Sequence, residues 1–136
     1  MYDKNVLENI LISLAILDSK KPKEEALEAL RKVGLEKKAL FFPIQLSAGE
    51  LQRLAIARAV AGGRSIILAD EPTGNLDPIT TWEIIKLFRQ IHTPETTIVF
   101  ATHNADIVNT LKKRVITLKQ GKIIKDSTRG TYSLDQ

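Results

Sequence analysis

The sequence predicts an α/β fold in which helices flank a mostly parallel sheet. Two short apolar runs rich in branched side chains, residues 65–69 and 97–101, are typical of strands that are buried on both faces, as in a parallel sheet. Helical patterns precede the first run, separate the two runs and follow the second one. A predicted hairpin comes after them, so the chain reads as helices, strand, helix, strand, helix and hairpin.

The first two helices are predicted over residues 5–17 and 22–33. Pro22 suits the first position of the second helix, and Gly34 suits the position just past its end. Residues 35–46 are predicted as a turn and a loop. Apolar residues at helical spacing mark the buried stripe of the second helix: Ala26, Leu27, Leu30 and Val33.

A third helix is predicted to open at Ser47, because Ser47 and Glu50 have the spacing of a capping box. Gly62 and Gly63 mark its end. Its predicted apolar stripe consists of Leu51, Leu54, Ala55, Ala59 and Val60.

The second half of the chain begins with the first strand and continues with a helix from the cap Asp77 to about residue 91. After the second strand we expect a short helix over residues 104–111. A hairpin with arms 114–118 and 122–126 then turns around Gln120-Gly121.

Composition narrows the class of protein. The chain has 136 residues, 43% of them hydrophobic, and no cysteine. That length and apolar content are typical of a folded domain. Because there is no cysteine, the chain has neither a disulfide framework nor thiolate chemistry. The longest apolar run, residues 10–17, is too short to cross a bilayer, and we expect a soluble cytosolic protein.

The last 26 residues hold 7 basic and 2 acidic side chains. A solvated surface is favoured there over an anionic membrane face, and no nucleic-acid recognition is expected.

Four segments carry polar residues at the ends of these elements. At the start of the third helix, free backbone N–H groups attract phosphate, Gly49 permits close approach, and Ser47 offers a hydroxyl. The simpler alternative is that Ser47 only caps the helix. Asp70 and Glu71 follow the first strand, at the edge where α/β sheets bind ligands. Asp70 suits a hydrated Mg²⁺ and Glu71 suits the orientation of a water, unless both acids only face solvent.

The other two segments are weaker alone. A turn followed by the cap Asp77 explains residues 72–77 adequately. His103 comes directly after the second strand and Thr102. Its significance depends on the prediction that this strand neighbours the one that carries Asp70 and Glu71.

Taken together and in this order, the segments resemble those of the ATP-binding-cassette (ABC) ATPases. The matching segments are residues 46–50 for the signature, 68–71 for Walker B with its glutamate, 74–77 for the D-loop, and His103 for the switch histidine. The signature departs from the family pattern at Ala48, where glycine is usual, and carries Glu50 where glutamine is frequent.

Within the family, residues 74–77 resemble the group that includes lipoprotein-release, macrolide-export and cell-division ATPases. The C-terminal segments are similar to those of the cell-division members: residues 101–104, 113–118, 121–122, 126 and 129–132. We therefore expect a cell-division ATPase, with a lipoprotein or macrolide exporter subunit as the alternative.

Two family elements are missing from the sequence, the P-loop (Walker A) and the Q-loop with its glutamine. A P-loop needs Gly-x-x-x-x-Gly-Lys-Ser/Thr, and the only Gly-Lys pair, Gly121-Lys122, is followed by Ile123 and lacks the upstream glycine. Trp82 and Tyr132 do not stand where the family stacks adenine, and Trp82 is expected to be a packing residue of its helix. The sequence thus predicts the C-terminal part of an ATPase, nearly inactive alone. The alternatives are a natural half-domain that pairs with a separate P-loop chain and, more weakly, a chromosome-maintenance ATPase.

The resemblance implies a partial P-loop NTPase-like domain, with a helical subdomain over 1–62 and a catalytic subdomain over 63–136. It implies a homodimer that encloses two ATP molecules. The resemblance implies that the signature residues Ser47, Ala48, Gly49 and Glu50 bind the nucleotide, with Ser47 and Gly49 at the γ-phosphate of the partner's ATP. It places Asp70 at Mg²⁺, Glu71 at the attacking water, His103 at the γ-phosphate, and Asp77 between the two sites.

The resemblance also implies a membrane partner. Cell-division members dock beneath a permease-like protein, on the inner face of the plasma membrane, and couple ATP hydrolysis to peptidoglycan hydrolase activation. The helical subdomain makes that contact, and residues 6–17 are a candidate for part of it, with an ordinary core helix as the alternative.

Overall fold

The computed structural model describes residues 3–130. Its elements in chain order are α1 (Val6–Ile16), α2 (Pro22–Val33), short 3₁₀ turns at Glu36–Lys38 and Pro43–Gln45, α3 (Ala48–Val60), β1 (Ile66–Asp70), α4 (Pro78–Ile91), β2 (Thr97–Ala101), α5 (Ala105–Leu111), β3 (Val115–Lys119) and β4 (Lys122–Ser127). The described residues fall into two compact units, which meet in the chain between residues 100 and 101. The subdomain boundary expected at 62/63 stays a prediction, and Thr131 and Tyr132 lie outside the described residues.

Local capping explains where the helices of the first unit begin and end. The Asn5 side chain accepts a hydrogen bond from the Glu8 amide at 2.9 Å, and the Glu8 carboxylate accepts one from the Asn5 amide at 2.8 Å. This reciprocal pair satisfies two backbone donors at the start of α1. Gly34 ends α2 with φ of 73°, a left-handed conformation that favours glycine.

The core of the first unit lies between its four helices and β1. Burial of apolar side chains from all of these elements supplies the main favourable term for folding. Phe88 of α4 and Phe100 of β2 meet edge to face, with ring centroids 5.3 Å apart. The most deeply buried large side chains of this core are Val6, Ile10, Leu14, Leu30, Val33, Leu35 and Ile84.

Strands β1 and β2 are neighbours in one sheet and run parallel, as predicted. The backbone N–H of Thr97 donates to the carbonyl of Ser65 at 2.7 Å. The expectation that both faces are buried is wrong for the described residues. Ile67 is 5% exposed, whereas Leu68 is 76% exposed and Val99 is 52% exposed. Successive side chains of a strand point to opposite faces, so one face packs on the core and the other is open.

The buried face of α3 also differs from the predicted stripe. Leu54 is buried as expected, but Ala55 and Ala59 are exposed, and Ile56 and Ala57 are buried in their place. Because α3 packs against α1, α2 and α4, its buried face is set by three neighbours rather than by one apolar stripe.

Helix α4 packs on the core through Ile84, Ile85, Leu87 and Phe88, which are buried. Trp82, expected as a packing residue of this helix, is 41% exposed, so part of the indole is covered and part reaches the surface.

The second unit contains α5 and the hairpin. The Asn104 side chain caps α5 by accepting a hydrogen bond from the Asp106 amide at 3.0 Å. Strands β3 and β4 are antiparallel, and Gln120 and Gly121 turn between them with φ of 50° and 74°. Two positive φ values are typical of a tight hairpin turn, which confirms the predicted hairpin. Within residues 3–130, no helix combines the length and apolar character that a bilayer crossing requires.

Candidate functional site

The first candidate segment, at the start of α3, forms the predicted capping box. The Ser47 hydroxyl oxygen accepts a hydrogen bond from the Glu50 amide at 3.3 Å, and the Glu50 carboxylate accepts one from the Ser47 amide at 3.0 Å. Ser47 and Ala48 are exposed. A hydroxyl has one donor and two acceptor positions, so Ser47 can cap the helix and still donate its proton to an anion. The capping and phosphate-binding interpretations are therefore compatible.

Lys38 forms an ion pair with this capping box that the sequence did not reveal. Its ammonium lies 2.6 Å from a carboxylate oxygen of Glu50, and the two side chains are 35% and 26% exposed. The same ammonium lies 5.5 Å from the centre of the Phe41 ring, within range of a cation–π contact. The hydrogen bond from Lys38, followed by the one from the Ser47 amide, holds the pKa of Glu50 below its usual range. No local pattern links residues so far apart in sequence.

Gly49 brings the start of α3 against the start of α4. A Cβ atom at Gly49 would lie 2.6 Å from the Cγ2 methyl carbon of Thr80, much closer than carbon atoms approach. A packing requirement therefore accounts for glycine at this position, in addition to any approach of phosphate.

Asp77 caps α4 as predicted. One of its carboxylate oxygens accepts hydrogen bonds from the amides of Ile79 and Thr80, both at 3.0 Å, and the other accepts from the Thr80 hydroxyl. The Thr80 hydroxyl, and after it the Thr80 amide, lower the pKa of Asp77. Thr80 thus contacts Gly49 through its methyl group and Asp77 through its hydroxyl. The Thr80 side chain therefore connects the segment of Gly49 with the segment of Asp77. The sequence pattern did not indicate this connection, because Thr80 lies within a predicted helix.

Asp70 and Glu71 lie where β1 ends. Asp70 is the last residue of the strand, and both side chains are exposed. Glu71 has φ of 42°. This left-handed conformation is energetically unfavourable for a residue that carries a Cβ atom. Its carbonyl accepts a hydrogen bond from the Gly74 amide at 3.2 Å, which closes the turn toward Asp77. Backbone strain of this kind is frequent at functional sites.

The chemistry of this strand end fits a magnesium ion that is coordinated by a protein carboxylate and by the phosphates of a nucleotide. Mg²⁺ keeps several waters and is commonly held by one or two carboxylates together with substrate phosphates. The exposed carboxylate of Asp70 meets that requirement. Residues 3–130 contain no group of three or more histidine, cysteine, aspartate or glutamate side chains arranged to hold a metal on their own.

His103 belongs to the second unit. It follows β2 by two positions and is exposed. The hydroxyl of Thr102 beside it accepts a hydrogen bond from the Asn104 amide at 3.1 Å, which shapes the connection into α5. The first unit therefore joins the Ser47–Glu50 and Asp77 segments through Thr80 and carries both acids at the end of β1. His103 has its place in the unit that contains the hairpin.

Comparison with known proteins gives a consistent result. The sequence profile described as ABC transporter matches residues 1–74. The chain is 47% identical over 129 residues to the cell division ATP-binding protein FtsE of Bacillus subtilis, covering 93% of this chain and 57% of that protein. It is 47% identical over 112 residues to the macrolide export ATP-binding/permease protein MacB of Chlorobium luteolum, covering 82% of this chain and 17% of that protein.

A solved structure shares the fold. The dimeric, post-hydrolysis structure of the ATP-binding cassette MJ0796 bound to ADP and Pi matches with a TM-score of 0.79 and 33% identity, covering 97% of this chain and 60% of that chain. The chain thus spans about three fifths of the length of the FtsE relative and of this solved protein.

Proposed function

The chain belongs to the ABC transporter ATPase family, and on that premise we propose that it supplies the signature, the Walker B acids, the D-loop and the switch histidine of an ATP-hydrolysing subunit of the FtsE type. The observation that carries the proposal is the physical link between two of these segments, Gly49 against Thr80 and Thr80 bonded to Asp77. In the homodimer proposed here, the signature of one subunit meets the ATP of the other.

The start of α3 provides donors for the γ-phosphate of that ATP. The free amides of its first turn and the positive end of the helix dipole favour an anion. The Ser47 hydroxyl keeps a proton to donate, because the bond from the Glu50 amide uses only an acceptor position of its oxygen. Ala48 and Gly49 leave the backbone accessible to phosphate oxygens. Positioning and charge neutralisation of this kind supply most of the catalysis in phosphoryl transfer.

The end of β1 provides the acids. We assign to Asp70 the role of holding the Mg²⁺ ion that accompanies ATP. When bound, this ion would neutralise part of the phosphate charge. Glu71 orients the attacking water and accepts its proton. The left-handed backbone at Glu71 redirects the chain where the strand ends. His103 is assigned to the γ-phosphate and Asp77 to communication between the two sites of the dimer.

A chimera tests this proposal. In it, the present chain replaces the segment that it matches in the Bacillus subtilis FtsE. We expect the chimera to bind and hydrolyse ATP, and we expect Glu71→Gln to lower hydrolysis by roughly 100-fold or more without loss of ATP binding. The exposed Glu24→Gln is the matched control and keeps full activity.

Two outcomes would overturn the assignment: a folded chimera that binds ATP without hydrolysing it, and a Glu71→Gln variant that hydrolyses as fast as its parent. The 136-residue chain gives a second readout that does not depend on the chimera. Because its sequence contains no P-loop, we expect it to bind ATP very weakly on its own. Micromolar affinity would contradict that expectation.

The biological role proposed is cell division, with an FtsX-like permease as partner at the inner face of the plasma membrane and peptidoglycan hydrolase activation as the output. The identity to FtsE over almost the whole chain supports this choice. The exposed positions of α1 are the proposed contact with the permease. Charge substitutions there should weaken permease binding by the chimera and leave ATP binding unchanged.

The second candidate is the ATPase part of a macrolide-type exporter, favoured by the identity to MacB over most of the chain. Lipoprotein release is the related alternative. The membrane partner captured by the chimera decides between these roles, since each requires a different permease. Pairing of this chain with a separate P-loop chain is tested by mixing the 136-residue chain with candidate P-loop proteins and measuring hydrolysis.

A further inference from the structure

Glu50 poses an electrostatic problem for the proposed phosphate site. Its carboxylate lies over the first turn of α3 and accepts a hydrogen bond from the Ser47 amide, the residue whose hydroxyl is assigned to phosphate. A carboxylate stabilises a helix start, but it also repels a second anion that binds there. Where family members carry glutamine, this repulsion does not arise.

The structure supplies a countercharge in Lys38. Its ammonium lies 2.6 Å from Glu50, and both side chains are more than half buried. Partial burial reduces solvent screening, so the pair interacts more strongly than an exposed ion pair would. The Phe41 ring below the ammonium further restricts where Lys38 can point. Neighbouring Lys37 is exposed and has no such contact among the described residues.

We propose that Lys38 is a positioning residue that neutralises Glu50, so that the Ser47 hydroxyl and the first amides of α3 can receive phosphate. The inference rests on the proposed function, because it concerns the same signature segment. Lys38 itself does not touch the nucleotide. Its effect passes through Glu50, which it holds in the capping box and whose charge it offsets.

The decisive experiment is a double-mutant cycle in the chimera, read as kcat for ATP hydrolysis. We expect Lys38→Met to lower kcat roughly tenfold, because it leaves an uncompensated carboxylate beside the γ-phosphate. Glu50→Gln removes the carboxylate and is the reference against which the double variant is read. The double variant Lys38→Met/Glu50→Gln should recover to the level of Glu50→Gln, since no charge remains to be neutralised. Lys37→Met is the matched control and should be unchanged.

Rescue separates charge neutralisation from a merely structural contact. If Lys38 only anchored the loop, the double variant would stay as slow as Lys38→Met, and that result would overturn the inference. Equal rates for Lys38→Met and its parent would overturn it as well.

A readout on the 136-residue chain is independent of hydrolysis. Inorganic phosphate is titrated while the amide signals of Ala48 and Gly49 are followed by NMR. We expect Lys38→Met to weaken the phosphate-induced shifts and the double variant to restore them. Identical phosphate-induced shifts in the parent and in both variants would count against the inference. This result can be read even if the chimera does not hydrolyse ATP and the proposed function is wrong.

Discussion

A Cβ atom placed on Gly49 would lie 2.6 Å from the Cγ2 atom of Thr80, whose hydroxyl donates to Asp77. The start of α3 and the start of α4 are therefore fitted to each other at one small contact. Any side chain at Gly49 must displace Thr80, and any displacement of Thr80 disturbs the cap of α4. This contact gives the first prediction.

Gly49→Ala should destabilise the chain. In an open helix the change would favour folding by about 1 kcal/mol, but crowding against Thr80 costs about 1–3 kcal/mol. Thr80→Ser removes the crowding methyl and keeps the hydroxyl for Asp77, so Gly49→Ala should become neutral or stabilising in that background. Urea denaturation of the four proteins measures the coupling. Gly74→Ala is the control, because a Cβ there meets its neighbours at ordinary distances, 3.6 Å and beyond. Equal effects in both backgrounds would disprove the contact.

Ile67 and Leu68 should respond very differently to truncation. Ile67→Ala removes a side chain that is 5% exposed and should cost about 2–4 kcal/mol. Leu68→Ala removes one that is 76% exposed and should change stability by less than about 0.5 kcal/mol in the 136-residue chain. Thermal and chemical denaturation check the pair. Similar losses at both positions would show that the strand is covered on both faces.

At position 71, replacement by glycine should destabilise the chain less than replacement by alanine. The left-handed backbone there penalises any Cβ, so Glu71→Gly should be more stable than Glu71→Ala by about 1 kcal/mol. At Glu83, inside α4, the order should reverse by a similar amount, because glycine weakens a helix. Denaturation of the four variants tests the change of sign. The same order at both sites would mean that residue 71 carries no such strain.

Acid should weaken the chain partly through Asp77. Its pKa is lowered in the folded state, so its contribution is complete above the unfolded pKa near 4 and is lost as the pH falls through the lowered value. Asp77→Asn keeps a capping side chain that does not titrate, so this variant should lose less stability than the parent between pH 6 and pH 2.5. Asp77→Ala should be weaker than Asp77→Asn at pH 6 already. Parallel pH curves for the parent and Asp77→Asn would refute the assignment.

Features set by neighbouring residues were predictable from the sequence. The Ser47 and Glu50 spacing gave the start of α3, Asp77 gave the start of α4, and Gln120-Gly121 gave the hairpin turn. Each depends on a side chain and a backbone group within a few positions of each other.

Features set by distant residues were not predictable in the same way. The Lys38 and Glu50 pair and the Gly49 and Thr80 contact each join different elements of the fold. The open face of β1 was missed for a related reason. An apolar run shows that a strand can be buried on both faces, but what covers each face is a property of the surrounding fold.

The start of α1 is tied to the segment that precedes α3. The amides of Val6 and Leu7, which have no partner within their own helix, donate to the carbonyls of Phe41 and Ala39 at 2.8 and 2.9 Å. Separation of the two segments would break both bonds at once. In hydrogen exchange, these two amides should therefore open together as one cooperative unit, with a common free energy of opening. A force applied to the first turn of α1 is thus transmitted to Ala39 and Phe41, which follow the 3₁₀ turn that ends at Lys38.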